Sequence, residues 1–244
     1  ISTPMRPGCL AVRHQGGLVL AMGDGFYFVD PLREQFESIA NVEADIPETR
    51  MNDGKTDRQG RFWSGTVFES EGQTPRPIGS LYRLSAELTT QRTATGFVCS
   101  NGLAWSPDSS RLYFTDSSTP YVWQWDFDAS TGEMERQRVF INLSSEQAVG
   151  DGATVDADGC YWLTLPFKGK VQQYDPDGKL MRAISLPTDT PTCCEFGGPE
   201  LDILYVSTAT LRRPDEQLRN QPWAGGLLAI DAGAKGLPGT AFAG

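Results

Sequence analysis

Apolar and polar residues alternate along this chain in short runs that Gly, Pro, Asn and Asp interrupt. The clearest case is residues 100–116. Asn101-Gly102 opens a short apolar run through Leu103, Ala104 and Trp105, Pro107-Asp108 makes a turn, and Leu112, Tyr113 and Phe114 lead out to Asp116. Two strand-forming runs joined by such a turn predict a β-hairpin. The pattern recurs. Asn52-Asp53-Gly54 leads through a turn at Asp57-Arg58-Gln59-Gly60 into Phe62-Trp63, and Asp151-Gly152 leads through Asp156-Ala157-Asp158-Gly159 into Tyr161-Trp162. An earlier copy turns at Gln15-Gly16-Gly17, and a weaker late one turns at residues 199–202.

Aligned on Val19, Trp63, Phe114, Trp162 and Val206, the five copies step by 44, 51, 48 and 44 residues. A further strand running into a turn follows each hairpin, at Phe28-Val29-Asp30, Leu81-Tyr82-Arg83, Gln124-Trp125-Asp126, Gln172-Gln173-Tyr174 and Leu228-Ala229-Ile230. A period of roughly 40 to 50 residues with several short strands in each predicts the blades of an all-β propeller. Two stretches rich in polar residues, 69–79 and 211–226, break the period and are expected to be surface loops.

Composition narrows the picture without changing it. The 244 residues are 39% hydrophobic and 21% charged, with a formal net charge of -10 and scattered Lys and Arg. Nucleic acid is thus not an expected partner. No apolar run approaches the roughly 18 residues of a membrane helix, so no membrane partner is expected. The five cysteines are odd in number and lie mostly beside apolar runs, which predicts buried reduced thiols and a reducing, cytoplasmic setting. The one histidine, His14, sits beside a turn and is expected at the surface. A histidine-rich zinc site is excluded, and a Ser-His-Asp triad would need this turn residue as its base.

Three polar residues open consecutive hairpins in near register. Asn52 lies 11 residues before Trp63, Asn101 lies 13 before Phe114, and Asp151 lies 11 before Trp162. In a propeller such positions converge on the central channel, where amide and carboxylate oxygens suit a divalent cation. Asn and Asp beside Gly are also ordinary turn formers, and that reading stands beside the first. Arg50 reads equally as a surface charge ahead of a turn, and Glu69 lies where it reaches the mouth of such a pocket.

The runs Arg50-Met51-Asn52-Asp53-Gly54-Lys55 and Gly60-Arg61-Phe62-Trp63-Ser64-Gly65-Thr66 resemble the regucalcin (senescence marker protein) and gluconolactonase family. Ser100-Asn101-Gly102-Leu103, Asp151-Gly152 and Cys193-Cys194-Glu195-Phe196-Gly197-Gly198 continue the resemblance in order over nearly the whole chain. It implies a six-bladed propeller, of which five repeats are visible, and hydrolysis of a sugar lactone to its aldonic acid. One divalent cation (Ca²⁺, Mg²⁺, Mn²⁺ or Fe²⁺) would be held by Asn101 and Asp151. Asp151 would also serve as general base, and Arg50 and Asn52 would contact substrate.

The family's further metal-ligating Glu, in a Gly-Glu-(Gly/Ser)-Pro motif of the first blade, has no counterpart here. Residues 1–244 are therefore expected to form one propeller domain that lacks its first blade or closes differently; where the blade is absent, a partner chain would cover the exposed faces. A non-catalytic propeller binding a cation or a small molecule remains the alternative function. A protein-interaction scaffold ranks third, because the loops are polar.

Overall fold

The structure, a computed structural model, describes residues 1–244. The chain is all-β, and its strands form five blade sheets of the β-propeller class. The first sheet holds β1 (Pro7–Val12), β2 (Leu18–Met22), β3 (Gly25–Asp30) and β4 (Gln35–Asn41). The second holds β5 (Thr49–Thr56), β6 (Phe62–Phe68), β7 (Gly79–Leu84) and β8 (Thr90–Phe97). The third comprises β9 (Ser100–Trp105), β10 (Arg111–Asp116), β11 (Tyr121–Asp128) and β12 (Glu133–Asn142). The fourth comprises β13 (Ala153–Val155), β14 (Tyr161–Leu165), β15 (Lys170–Tyr174) and β16 (Leu180–Ser185). The fifth has three strands, β17 (Pro191–Gly197), β18 (Ile203–Thr208) and β19 (Leu227–Asp231). Each sheet is a meander in chain order, as short turns between successive strands require.

The five expected hairpins are the first two strands of each sheet, and the following landmarks fall on β3, β7, β11, β15 and β19. Burial follows the residues. The second strands of the first four sheets, such as Leu18-Val19-Leu20-Ala21-Met22, are rich in apolar residues and buried nearly throughout, whereas β18 buries alternate residues. The fourth strands are largely exposed, and all but the apolar β16 are rich in polar residues; β12 carries two Glu and two Arg that discourage edge-to-edge pairing. β1 departs from this gradient, with Leu10 and Val12 exposed.

Two compact units make up the chain. The first is Ile1–Asn101, Asp128–Met134 and Gly239–Gly244, and the second is Gly102–Phe127 and Glu135–Pro238. In the first, the C-terminal residues return to the opening sheets. Phe242 is fully buried with Phe26, Phe62, Met51 and Tyr82, and the His14 N–H donates to the Phe242 carbonyl at 2.9 Å. In the second, one core gathers Tyr113, Tyr161, Leu163 and Leu165, and another gathers Trp162, Val171, Phe196 and Val206.

One device locks a hairpin turn in each unit. In the first, buried Asp57 accepts from the Gln59 and Arg61 backbone N–H groups through Oδ1, at 3.0 Å each. Its Oδ2 accepts from Trp63 Nε1 at 2.9 Å and Arg61 Nε at 2.6 Å. In the second, buried Asp156 does the same with the N–H groups of Asp158 and Cys160, with Trp162 Nε1 at 2.8 Å and with Gln173 Nε2 at 3.0 Å. A carboxylate with four donors tolerates burial that an unpaired one would not.

Residues 69–78 form a loop, as expected. The 211–226 stretch does too, except for one helical turn, α1 (Asp215–Leu218), which follows the extended Pro214 and has Asp215 and Glu216 in its first turn. His14 is exposed, and none of the five cysteines is in a disulfide. Against the expectation of buried thiols, only Cys194 is buried. The other four are half-buried, Cys99 and Cys160 lying between strands.

Candidate functional site

In the first unit, the ladder between β5 and β6 slips between Met51 and Gly54. Met51 faces Thr66 and Gly54 faces Ser64, so Asn52 and Asp53 together oppose Gly65. Such a bulge frees two residues from regular pairing and re-aims their side chains. Gly54 lets β5 resume pairing there, since a Cβ would stand 2.2 Å from the Trp63 carbonyl oxygen of β6.

The bulge aims Asn52 at the start of β9. Arg50 Nη1 donates to Asn52 Oδ1 at 3.1 Å and to the Met51 carbonyl at 2.9 Å. Asn52 Nδ2 donates to the Ser100 carbonyl at 2.9 Å and to Asn101 Oδ1 at 3.0 Å. Arg50 has only donors, so it fixes which end of the Asn52 amide faces it, and Asn52 in turn fixes Asn101. Asn101 Nδ2 then points at Cys99 Sγ, 3.4 Å away. Arg50 is itself held by Glu69, Nε to Oε2 at 2.6 Å and Nη2 to Oε1 at 3.2 Å, a two-pronged contact. Arg6 Nη1 reaches the same Oε1 at 2.7 Å. The hydrogen bond from Arg50 is the chief reason that the Glu69 carboxyl sits below its ordinary pKa of 4.5, with the charge of Arg6 adding to it.

In the second unit, Asp151 lies in the turn before β13 and is held by its backbone. Its N–H donates to the Thr164 carbonyl at 3.0 Å, and the next N–H, of Gly152, donates to the Thr192 carbonyl at 2.7 Å. Ser117 Oγ donates to the Gly150 carbonyl at 2.6 Å. A Cβ on Gly152 would come within 2.7 Å of the Cys193 Cα, so only glycine passes there. Gly102, which follows Asn101, has φ +63°, and a Cβ on it would meet the Asp151 carbonyl at 3.0 Å and Tyr161 Oη at 2.8 Å.

A family model described as the SMP-30/Gluconolactonase/LRE-like region matches residues 1–210. The chain belongs to this family. It is similar to regucalcin of Xenopus laevis, 36% identical over 241 residues that cover 97% of this chain and 81% of that protein. It is similar also to a 6-deoxy-6-sulfogluconolactonase of Pseudomonas putida, 34% identical over 246 residues and covering 100% and 83%. Among solved structures it resembles a calcium-binding protein, regucalcin, from Agrobacterium tumefaciens strain C58. That likeness has a TM-score of 0.93 at 26% identity and covers 99% of this chain and 81% of that one.

For this member of the family, the structure brings Arg50, Asn52 and Asn101 into one hydrogen-bonded chain within the first unit, with Glu69 behind Arg50. Asp151 is placed in the second unit, on a glycine-flanked turn. Arg6 and Cys99 join the first group without any motif to mark them. Arg6 is 63 residues from its partner Glu69, and neither a turn nor the blade period links the two positions.

Proposed function

We propose that this protein hydrolyses a sugar lactone to its aldonic acid with the help of one divalent cation. The observation that carries the reading is family membership along nearly the whole chain, with a relative named as a sugar lactonase at 34% identity.

The side chains present suit a hard cation. Asn101 is buried, and its amide oxygen, oriented by the Asn52 amide, is a neutral oxygen donor. Asp151 adds a carboxylate. No group of three or more His, Cys, Asp and Glu side chains able to hold a metal forms in either unit. The ligands in this reading are those the family resemblance implies, an amide oxygen and a carboxylate, a donor set that suits Ca²⁺, Mg²⁺, Mn²⁺ or Fe²⁺. Asn101 and Asp151 hold the ion in this reading. When bound, it supplies polarisation of the lactone carbonyl and acidification of water.

The remaining steps belong to the chain. Asp151 accepts a proton from the attacking water as its oxygen bonds to the carbonyl carbon. The ring C–O bond breaks, and the departing ring oxygen takes the proton that Asp151 accepted, becoming the hydroxyl of the open acid and restoring the carboxylate. Arg50 and Asn52 contact the substrate: Arg50 donates the one N–H outside its bonds to Glu69, Met51 and Asn52 to a sugar hydroxyl or to charge developing on the carbonyl oxygen, and Asn52 holds that fork in place beside the sugar. Glu69 keeps the Arg50 fork in place for this. A second reading, a cation-binding propeller without turnover, is favoured by the similarity to a structure described as a calcium-binding protein.

The test is Asp151→Ala. The variant is expected to lose cation binding in calorimetry and at least about a hundredfold in turnover. Turnover equal to that of the parent chain would refute the assignment, and cation binding without hydrolysis across a lactone panel would favour the second reading.

A further inference from the structure

We propose that Arg6 is a specificity residue, which with Arg50 and Glu69 selects lactones whose sugar carries an oxyanion group such as a carboxylate, sulfonate or phosphate. The inference rests on the lactonase reading for the nature of the ligand, and on the first unit alone for its geometry.

Glu69 is a single carboxylate between two guanidinium groups, so the cluster carries one surplus positive charge. The two arginines are placed differently. Arg50 is 16% exposed, and four of its five N–H groups are engaged by Glu69, Met51 and Asn52. Arg6 is 58% exposed and gives one N–H, on Nη1, to Glu69. The rest of its fork faces solvent, in the planar arrangement that pairs with oxyanions.

Its origin is fixed. The Gly23 N–H donates to the Arg6 carbonyl at 3.1 Å, and two residues later the backbone of β1 lies so close to the Asn52 carbonyl that only Gly8 fits. Arg6 thus leaves the fold beside the residues assigned to the substrate. A neutral sugar needs only a hydroxyl partner, which the one remaining Arg50 N–H supplies. In a chain of net charge -10, an anionic ligand is repelled at long range, and a local cation that reverses the field is what would admit it.

The test compares a neutral hexonolactone with the hexarolactone that bears a carboxylate at C6, in the parent chain, Arg6→Gln and Arg6→Lys. The parent is expected to favour the anionic lactone in kcat/KM through KM, with the preference weakening as salt rises. Arg6→Gln is expected to reduce the anionic-to-neutral ratio roughly fivefold, and Arg6→Lys to restore most of it. An unchanged ratio in Arg6→Gln would overturn the proposal and leave Arg6 as a surface ion pair.

Calorimetry with a hexuronate and the matching neutral hexose separates this idea from the lactonase reading. If neither lactone turns over, tighter binding of the hexuronate that is lost in Arg6→Gln still supports the role of Arg6. Equal binding of the two sugars by the parent overturns it.

Discussion

Arg50 shows how one side chain organises its neighbours. Its two-pronged contact with Glu69 fixes the plane of the guanidinium, and the Nη1 corner then orients Asn52 and, through it, Asn101. Lysine brings the same charge as a single point without the fork. Arg50→Lys is therefore expected to lower kcat/KM by about tenfold or more while barely moving the denaturation midpoint, which steady-state kinetics and urea unfolding together check. Glu69 adds a pH dependence. Its folded pKa is lowered, so the stability it contributes is present above its ordinary value of 4.5 and is lost as pH falls through the lowered value. Glu69→Gln is expected to flatten that acid limb of the stability–pH curve. The positions of Asn52, Asn101 and Asp151 near the starts of the blade hairpins were legible in the sequence, because Asn or Asp followed closely by Gly recurs in blade register. Arg6 was not, because a contact across 63 residues leaves no periodic trace.

At the scale of elements, the blade period was readable because each second strand is rich in apolar residues and bounded by Gly- or Asp-containing turns. The bulge in β5 was not readable, since Asn52-Asp53 next to Gly54 resembles an ordinary turn opening, and only the register against β6 reveals two residues facing one. The turn lock is testable by itself. Asp156→Ala strands Trp162 Nε1 and two backbone N–H groups, and is expected to cost about 3 kcal/mol. Urea unfolding followed by tryptophan fluorescence measures this, and a loss below about 1 kcal/mol would mean that water or a neighbour replaces the carboxylate. Gly152→Ala is expected to disturb the Asp151 turn and to lower activity more than stability, because the added methyl meets the Cys193 backbone.

For the whole molecule, the chain carries a net charge of -10 and none of its five cysteines is in a disulfide. A cation bound only by the folded state would raise its stability by RT ln(1 + [L]/Kd), about 2.7 kcal/mol at a hundredfold excess over Kd. Chelation is then expected to lower the melting temperature of the parent chain and to leave that of Asp151→Ala unchanged, a difference that calorimetry resolves. The measurement that bears most directly on the central claim is hydrolysis of a sugar-lactone panel before chelation, after it, and after a divalent cation is returned. Cation-dependent hydrolysis through Asp151 predicts turnover that disappears with the chelator, returns with the cation in the parent chain and does not return in Asp151→Ala. Turnover that persists through chelation, or that Asp151→Ala retains, would contradict it.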